Sequence, residues 1–401
     1  MKSAFLIAAP TSGSGKTTIA RGLMALLTQK GYSVQPFKCG PDYIDTKFHK
    51  AVCGRPSINL DSFMATPEHI HDLFEHYGKE ADVCVVEGMM GLFDGFERDK
   101  GSSAEIASIL RLPVILVVDA KSAAYSMAPL LQGFINFRHD VYIAGVIFNK
   151  VGSQRHFEML RQVCDDLQIS CFGYLPKESS LEQGSRYLGL DFSEKVENKE
   201  LTNLIESHIN WEDIHSSLVR ERRTVRPKAT DCASEGDGLK VSCALNAESF
   251  SFIYQEIIDS FASVSFFDPE KDIPSLEGID LLYLPGGYPE KHVEALVRNE
   301  ACRKAIRDYA EQGGRIIAEC GGMMYLCEKI ITDDGEYPMC GVLPYTITDG
   351  KEYRGHEFHY TQFVETPESV TQVYNAKGEP VATPVFRYKN VLASYTHLYQ
   401  I

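Results

Sequence analysis

The chain has 401 residues, of which 44% are hydrophobic and 24% are charged, a balance typical of a globular protein with more than one domain. Its net charge of −15 argues against a general nucleic-acid-binding surface and against a surface for anionic membranes. The eleven cysteines include no Cys-x-x-Cys pair, which argues against a disulfide framework and a zinc site. The first apolar run is too short for a signal peptide, and no stretch is long enough to span a bilayer, so we expect a cytoplasmic protein.

The first predicted elements are a strand at residues 4–7, a glycine-rich loop and a helix. This order is the context of a phosphate-binding loop, where backbone N–H groups of small residues surround phosphate oxygens. The lysine of such a loop contacts the terminal phosphates, and the hydroxyl after it binds Mg²⁺. We predict that a nucleotide binds here, although Pro10 replaces the usual first glycine; the alternative is a glycine-rich turn that contains lysine. The predicted binding residues are Gly13, Ser14, Gly15, Lys16, Thr17 and Thr18.

A second predicted strand, at residues 32–39, leads into a Gly-Pro loop that contains Asp42 and Asp45. Ligands bind beyond the carboxyl ends of strands in open α/β sheets, which makes both acids candidates for substrate or metal binding. The same residues are common in turns and at the start of helices. Local sequence leaves both interpretations open.

A third predicted strand at residues 83–87 ends in Glu87 and is followed by several glycines. Its nearly continuous β-branched residues indicate burial on both faces. A carboxylate at the end of such a strand is a candidate for binding Mg²⁺ or positioning water, and the alternative is a helix cap. Asp94 is a further candidate acid, although Asp-Gly is also common in turns.

Further buried strands are predicted at residues 112–119, 141–150 and 172–177. Because strands alternate with helical stretches, the sequence predicts an α/β fold with a doubly wound parallel sheet. Asn149 either contacts a nucleotide base, as strand-end asparagines do in related folds, or is an ordinary turn residue. The chain then becomes polar and charged, and we predict domains at 1–193 and 239–401 with a linker region at 194–238.

In the second domain, a predicted strand at 280–284 leads to a glycine turn, and another at 315–319 leads through Cys320 into a helix. Such a corner exposes a nucleophile, and the helix dipole favours the thiolate. We predict that Cys320 is a nucleophile and that the N–H groups of Gly287 and Gly321 form an oxyanion hole. The alternative is a structural cysteine.

A thiol nucleophile needs a base, usually a histidine. The candidates are His292, His356, His359 and His397. His356 and His359 lack the spacing of the helical zinc-protease motif, so we predict no metal there. His397 follows a β-rich run at 391–396 and is the best placed.

These motifs carry a family resemblance over nearly the whole chain. The C-terminal half resembles the class I glutamine amidotransferase domain found in cobalamin biosynthesis, and the N-terminal half resembles the dethiobiotin-synthetase-like ATPase domain fused to it. Together they resemble the cobyrinic acid a,c-diamide synthases, and the loop at 40–45 separates this branch from the related cobyric acid synthases. The matching stretches are 12–18, 36–45, 87–95, 284–290, 319–322, 354–360 and 394–398.

The resemblance implies an N-terminal P-loop amidoligase domain and a C-terminal glutamine amidotransferase domain, both α/β. It implies ATP-dependent amidation of the a and c carboxylates of cobyrinate, a corrinoid, with L-glutamine or ammonia as nitrogen donor. It also implies Cys320 and His397 as the catalytic pair. Mg²⁺ would lie near Thr17, Asp45 and Glu87, and the acids near the substrate and phosphates would be Asp42, Asp45 and Asp94.

Several positions depart from the family pattern. Tyr399 stands where other amidotransferases have a glutamate after the catalytic histidine, which suggests a Cys-His dyad. Tyr187 stands where the family usually has histidine, and the chain ends at Ile401, where relatives usually continue into a terminal helix.

Two other functions fit part of the sequence. Nickel-sirohydrochlorin a,c-diamide synthases share these motifs and would use the same chemistry on another tetrapyrrole. A partitioning-type ATPase switch would also have the glycine loop, but it usually has a lysine in place of Thr11, and it leaves Cys320 unexplained. We expect neither a nucleic acid nor a membrane as partner, and the sequence does not predict the oligomeric state.

Overall fold

The structure is a computed structural model that describes residues 3–177, 199–221, 238–349, 361–364, 368–375 and 379–397. The chain divides into two compact units, Met1–Cys232 and Ala233–Ile401. None of the helices in the described ranges is long and apolar enough to cross a membrane.

The first unit is built on a sheet of seven strands whose neighbours are all parallel. Its strands are runs of aliphatic residues, because helices cover both faces. The spatial order is β3-β2-β4-β1-β5-β6-β7. The strands are β1 (Ser3–Ala8), β2 (Val34–Cys39), β3 (Ile58–Leu60), β4 (Val83–Glu87), β5 (Val114–Asp119), β6 (Ile143–Val151) and β7 (Ser170–Pro176).

Helices pack on both faces of this sheet, and a hydrophobic core lies on each face. The helices are α1 (Lys16–Gln29), α2 (Asp45–Cys53), α3 (Pro67–Gly78), α4 (Ser103–Leu110), α5 (Met127–Asn136), α6 (Gln154–Asp166), α7 (Lys199–His208) and α8 (Trp211–Glu221). Ile19 of α1 lies in one core, whereas Ile70 of α3 and Leu160 of α6 lie in the other. The predicted α/β fold with a parallel sheet is confirmed.

Helices α7 and α8 lie in the stretch that we predicted to be a linker. Ile205, Trp211 and Ile214 are buried and pack into the core that contains α1. The Trp211 ring lies 6.2 Å from the ring of Phe5 on β1. The stretch is polar on average, which indicated a linker, but its few apolar residues recur at helical spacing and form the buried faces of the two helices. The described part of this stretch is folded against the first unit and is not a linker.

The second unit has a main sheet of six strands in the order β18-β19-β11-β10-β8-β9, parallel except for the β18–β19 pair. A smaller sheet has the order β13-β12-β14-β15. The strands are β8 (Lys240–Ala244), β9 (Ser263–Phe267), β10 (Leu281–Leu284), β11 (Ile316–Glu319), β12 (Cys327–Thr332), β13 (Gly335–Pro338), β14 (Leu343–Asp349), β15 (Thr361–Phe363), β16 (Val373–Tyr374), β17 (Pro380–Val381), β18 (Val385–Tyr388) and β19 (Val391–Ser394). The helices are α9 (Gln255–Ser260), α10 (Val293–Arg298), α11 (Glu300–Glu311) and α12 (Gly321–Leu326). Because β10, β11 and β19 are parallel neighbours, the loops after them meet at one edge of the sheet.

Candidate functional site

The glycine-rich loop joins β1 to α1 at the carboxyl edge of the first sheet. Gly13 and Gly15 have φ angles of 77° and 95°, which glycine adopts without steric strain. Lys16 begins α1, is buried, and donates a hydrogen bond of 2.5 Å from Nζ to the carbonyl oxygen of Met90. The lysine predicted to contact phosphates therefore lies against the loop that follows β4.

Asn149 of β6 contacts the backbone of the same loop. Its Nδ2 donates to the carbonyl oxygen of Ser14 at 2.9 Å. A Cβ atom at Gly15 would lie 2.0 Å from that Nδ2, so a glycine at this position leaves room for the asparagine. Asn149 thus positions the loop backbone, and its contact with a base stays a prediction.

A buried ion network lies between α1, β2 and β4. Glu87 ends β4 and Lys38 lies in the adjacent strand β2, and both side chains are fully buried. Lys38 Nζ lies 3.0 Å from Glu87 Oε1 and 2.6 Å from Asp45 Oδ2. Thr17 Oγ1 donates to Glu87 Oε1 at 2.6 Å, and His49 Nε2 lies 2.7 Å from Glu87 Oε2. The structure therefore brings Thr17, Asp45 and Glu87 together, around a lysine and a histidine that sequence reasoning did not single out.

The network keeps its charges despite its burial. Burial alone would lower the pKa of the Lys38 ammonium, but the carboxylates of Glu87 and Asp45 outweigh it and hold the pKa above its ordinary value. Burial alone would raise the pKa of Glu87, but Lys38 and His49 hold it below its ordinary value. Lys38 and Glu87 are therefore both charged at neutral pH.

The other two predicted acids serve as turn residues as well. Asp42 Oδ1 accepts hydrogen bonds of 2.9 Å from the backbone N–H groups of Ile44 and Asp45, and its Oδ2 lies 3.7 Å from Lys38 Nζ. Asp94 Oδ2 accepts from the backbone N–H of Gly91 at 3.0 Å. Asp42 thus faces the ion network, whereas the hydrogen bond of Asp94 stabilises the loop after β4.

The donor set of this network fits a magnesium ion. Mg²⁺ binds hydroxyl and carboxylate oxygens and is commonly completed by phosphate oxygens. Thr17, Asp45 and Glu87 offer such oxygens at one place, and the ammonium of Lys38 already lies between the two carboxylates. The Lys38 ammonium already balances part of the negative charge here. We therefore expect Mg²⁺ to bind beside it only when the phosphates of a nucleotide add further negative charge.

The second site is the corner between β11 and α12. The backbone of Cys320 has φ 47° and ψ −111°, a conformation that residues other than glycine rarely adopt. Its N–H donates to the carbonyl oxygen of Ser394 on β19 at 2.7 Å. The thiol is buried at the N-terminus of the helix. The structure thus has the strained strand-to-helix corner that the sequence predicts for a nucleophile.

His397, which follows β19, lies beside this thiol. A Cβ atom at Gly286 would lie 2.3 Å from His397 Cε1 and 3.2 Å from the Cβ of Cys320, so only glycine leaves room for both side chains. Burial alone would lower the pKa of His397, but Cys320 and Glu319 outweigh it and raise the pKa to about 10. The imidazole is therefore a cation at neutral pH.

The predicted oxyanion donors lie next to Cys320. A Cβ atom at Gly321 would lie 2.9 Å from the backbone nitrogen of Gly287, so the two glycine backbones pack closely together. No acceptor for either N–H group lies among the residues that the structure describes. Their role in stabilising an oxyanion stays a prediction.

The other histidine candidate within the described residues is His292, which contacts two carboxylates. His292 lies 3.0 Å from Glu248 Oε2 and 3.2 Å from Glu270 Oε1. The hydrogen bond to Glu270 raises the pKa of His292 to about 9, and Glu248 adds to this effect, although burial opposes it. His356 and His359 lie outside the described residues.

Comparison with known proteins matches both halves of the chain. Residues 5–188 match the CobQ/CobB/MinD/ParA nucleotide binding domain, and residues 256–400 match the CobB/CobQ-like glutamine amidotransferase domain. A cobyrinate a,c-diamide synthase from Caldanaerobacter subterraneus is 37% identical and covers 98% of this chain and 94% of its own length. A hydrogenobyrinate a,c-diamide synthase from Brucella anthropi is 36% identical and covers 98% of both chains. Among solved structures, the cell division protein FtsY from Thermotoga maritima covers 44% of this chain and 63% of its own, at TM-score 0.34 and 19% identity, a likeness too slight to support an inference.

Proposed function

The chain belongs to the family of the cobyrinate and hydrogenobyrinate a,c-diamide synthases, and on this premise we propose how its residues divide the reaction between two sites. It is an ATP-dependent enzyme of cobalamin biosynthesis that takes nitrogen from glutamine. The proposed substrate is cobyrinate, amidated at its a and c carboxylates. The observation that carries the proposal is a strained thiol beside an imidazolium in a chain that also holds a phosphate loop.

Ammonia is proposed to form at Cys320. Its thiolate attacks the side-chain amide carbon of glutamine, and the N–H groups of Gly287 and Gly321 donate to the developing oxyanion. His397 gives its proton to the departing nitrogen, so ammonia leaves and a thioester remains on Cys320. His397 then takes a proton from water, and the resulting attack releases glutamate and restores the thiolate.

The carboxylate is proposed to be activated at the phosphate loop. A carboxylate is a poor electrophile, so the γ-phosphoryl group of ATP is transferred to it and ADP is released. Ammonia then attacks the acyl phosphate and displaces phosphate, which leaves the amide and releases a proton. Lys16 would exchange the Met90 carbonyl for a phosphate oxygen, and the backbone of residues 13–18 would surround the phosphates. Mg²⁺, held by Thr17, Asp45 and Glu87, would neutralise charge on these phosphates when bound.

The remaining acids are proposed to lie on the substrate side of the same sheet edge. Asp42 faces Lys38 across 3.7 Å, so a change at either residue alters the field that a substrate carboxylate meets. Asp94 keeps the loop after β4 in shape through its bond to the Gly91 backbone. Both roles depend on the substrate binding beside β2 and β4.

The test is product analysis with the purified chain. Cobyrinate, ATP, Mg²⁺ and glutamine labelled with ¹⁵N at the amide are incubated, and mass spectrometry follows one or two labelled amides in the product. Hydrogenobyrinate and nickel-sirohydrochlorin are assayed in parallel. Two labelled amides on cobyrinate support the proposal. Turnover of nickel-sirohydrochlorin alone would contradict cobyrinate as the substrate but leave the proposed amidation reaction standing. Absence of ATP-dependent amide formation on every substrate would contradict both.

A further inference from the structure

A buried carboxylate lies close to His397 and precedes the thiol residue in sequence. Glu319 is the last residue of β11 and directly precedes Cys320, and its side chain is only 3% exposed. His397 Nδ1 lies 3.5 Å from Glu319 Oε2. The acid, the nucleophile and the imidazole therefore lie at one strand end, although Glu319 precedes the nucleophile in sequence and does not follow the histidine.

Tyr283 on β10 fixes this carboxylate. Its hydroxyl donates to the same oxygen, Glu319 Oε2, at 3.0 Å, and the ring is fully buried. The oxygen that accepts this hydrogen bond is the one that lies 3.5 Å from His397 Nδ1. This hydrogen bond limits the rotation of a side chain that would otherwise be free to turn away from His397.

Among the described residues, Glu319 is the carboxylate that acts on His397, beside the sulfur of Cys320. The described ionisable groups that act on His397 are Cys320 and Glu319, and those around Glu319 are Tyr283 on β10 and Cys243 on β8. Burial raises the pKa of Tyr283 and of Cys243, so both are neutral at physiological pH. The imidazolium of His397 thus lies between one sulfur and one carboxylate.

The strand pairing explains why the acid can come from here. β11 pairs in parallel with β19, and Glu319 stands opposite Ser394 in their register. The chain leaves β19 at that point and reaches His397 three residues later. A carboxylate at the end of β11 can therefore reach the histidine that follows β19. In other amidotransferases that carboxylate belongs to a glutamate two residues after the histidine; the residue at that point of this sequence is Tyr399, which lies outside the described residues.

We propose that Glu319 orients His397 and completes a Cys320–His397–Glu319 triad. The proposal rests on the proposed glutaminase role of Cys320 and His397. Glu319 is a positioning residue: its carboxylate accepts a hydrogen bond from Nδ1–H, which directs Nε2 to the thiol, and its charge stabilises the imidazolium. The separation of 3.5 Å is longer than a hydrogen bond, and such contacts commonly tighten when substrate binds.

The test compares Glu319→Gln with the parent chain in glutamine hydrolysis across a pH series. We expect kcat to fall about 10- to 10³-fold while KM for glutamine changes little, because the acid acts through His397 and not on the ground-state substrate. The alkaline limb of the kcat profile should move to lower pH, because the carboxylate that helps to raise the pKa of His397 is removed. A variant that merely disturbed packing would lower activity without moving that limb.

Three further measurements keep the outcome decisive. Ammonium-dependent synthesis by the same preparation reports whether the chain is folded. Tyr283→Phe removes the hydroxyl and keeps the carboxylate, so we expect a loss of about fivefold or less. Glu319→Asp keeps the charge, so its alkaline limb should stay near that of the parent, and this variant decides the matter if Glu319→Gln does not fold.

The proposal is overturned if Glu319→Gln hydrolyses glutamine within about twofold of the parent with an unmoved alkaline limb, or if Glu319→Asp moves that limb as far as Glu319→Gln does. Failure of the underlying function would look different. In that case Cys320→Ala would keep hydrolysing glutamine, whatever the result at Glu319.

Discussion

The two candidate sites are both built where a strand passes through a glycine turn into a helix, but they hold their charges in opposite ways. At the phosphate loop, the Lys38 ammonium lies between the carboxylates of Glu87 and Asp45 and balances part of their charge before any ligand arrives. At the thiol corner, a single imidazole lies between a sulfur and a carboxylate, and the backbone of Cys320 is strained. The charges of the first site hold its side chains together without a ligand, whereas the second site presents one reactive thiol, that of Cys320.

This difference predicts that the two activities can be separated by mutation. A group in the saturated network has several partners, so its loss affects both stability and catalysis. A group at the thiol corner acts on one atom, so its loss should abolish one half-reaction and leave the other. The predictions below are ordered by the size of the expected effect.

The largest effect is expected for Cys320→Ala. Glutamine-dependent synthesis should fall by about 10⁴-fold or more because the nucleophile is gone, whereas synthesis from added ammonium should persist at raised pH, where free ammonia is available. Product formation from both nitrogen sources measures this. Cys327→Ala at the other end of α12 is the control, because burial raises the pKa of that thiol and leaves it unreactive. Loss of ammonium-dependent synthesis in a folded Cys320→Ala chain would contradict the division of labour.

Lys16→Ala should produce the reverse pattern. Synthesis should fall about 10²- to 10³-fold with either nitrogen source, because one preorganised contact to the phosphates is lost, while the thiol corner keeps its groups. Product assays with glutamine and with ammonium test this. Lys30→Ala removes an exposed lysine just after the same helix, paired with Glu206 at 2.9 Å, and should leave synthesis unchanged. Normal ammonium-dependent synthesis by Lys16→Ala would remove the loop from the mechanism.

The parts of these sites that the sequence predicts are those whose signals are local. A glycine loop between strand and helix, and a cysteine at a corner followed by two glycines, are readable in a short window, and the structure has both. Asp42 could be read either as a turn residue or as a ligand, and the structure shows that it caps its loop while facing Lys38.

The parts that the sequence does not predict depend on contacts between distant residues. His49 meets Glu87 only because α2 folds back over the sheet, and Glu319 meets His397 only because β11 and β19 pair. Lys38 did carry a signal, since a charged residue in a buried strand needs a partner of opposite charge. Trp211 carried another, because a lone tryptophan in a polar stretch is rarely solvated.

A change of intermediate size is expected for Lys38→Met, measured as the free energy of unfolding. Removing the cation leaves Glu87 charged and buried, which should cost about 3–5 kcal/mol at neutral pH. In the parent, the pKa of Glu87 is lowered in the folded state, so its contribution is fully present above its ordinary value of 4.5 and is lost as the pH falls through the lower folded value. Without Lys38 that pKa rises, so the deficit should shrink as the pH is lowered.

The matched control for this prediction is the double variant Lys38→Met with Glu87→Gln, which removes the unpaired charge together with its partner. It should regain much of the lost stability, because a neutral amide costs less to bury than a carboxylate. Denaturant unfolding at several pH values follows both variants. A deficit that does not depend on pH would show that Lys38 stabilises the sheet by packing alone.

The smallest effect is expected for Asn149→Ala. The side chain donates one hydrogen bond of 2.9 Å to the Ser14 carbonyl and fills the space beneath Gly15, so its loss should loosen the phosphate loop without removing a phosphate contact. One hydrogen bond to a neutral acceptor is worth about 1 kcal/mol, which corresponds to a rise of about fivefold in KM for ATP. Because Asn149 donates to the loop backbone, we expect it to act through the loop, and KM should then rise equally for ATP and GTP. Initial rates of ammonium-dependent synthesis with each nucleotide measure this, and a loss of discrimination between the two nucleotides would instead assign Asn149 to base recognition.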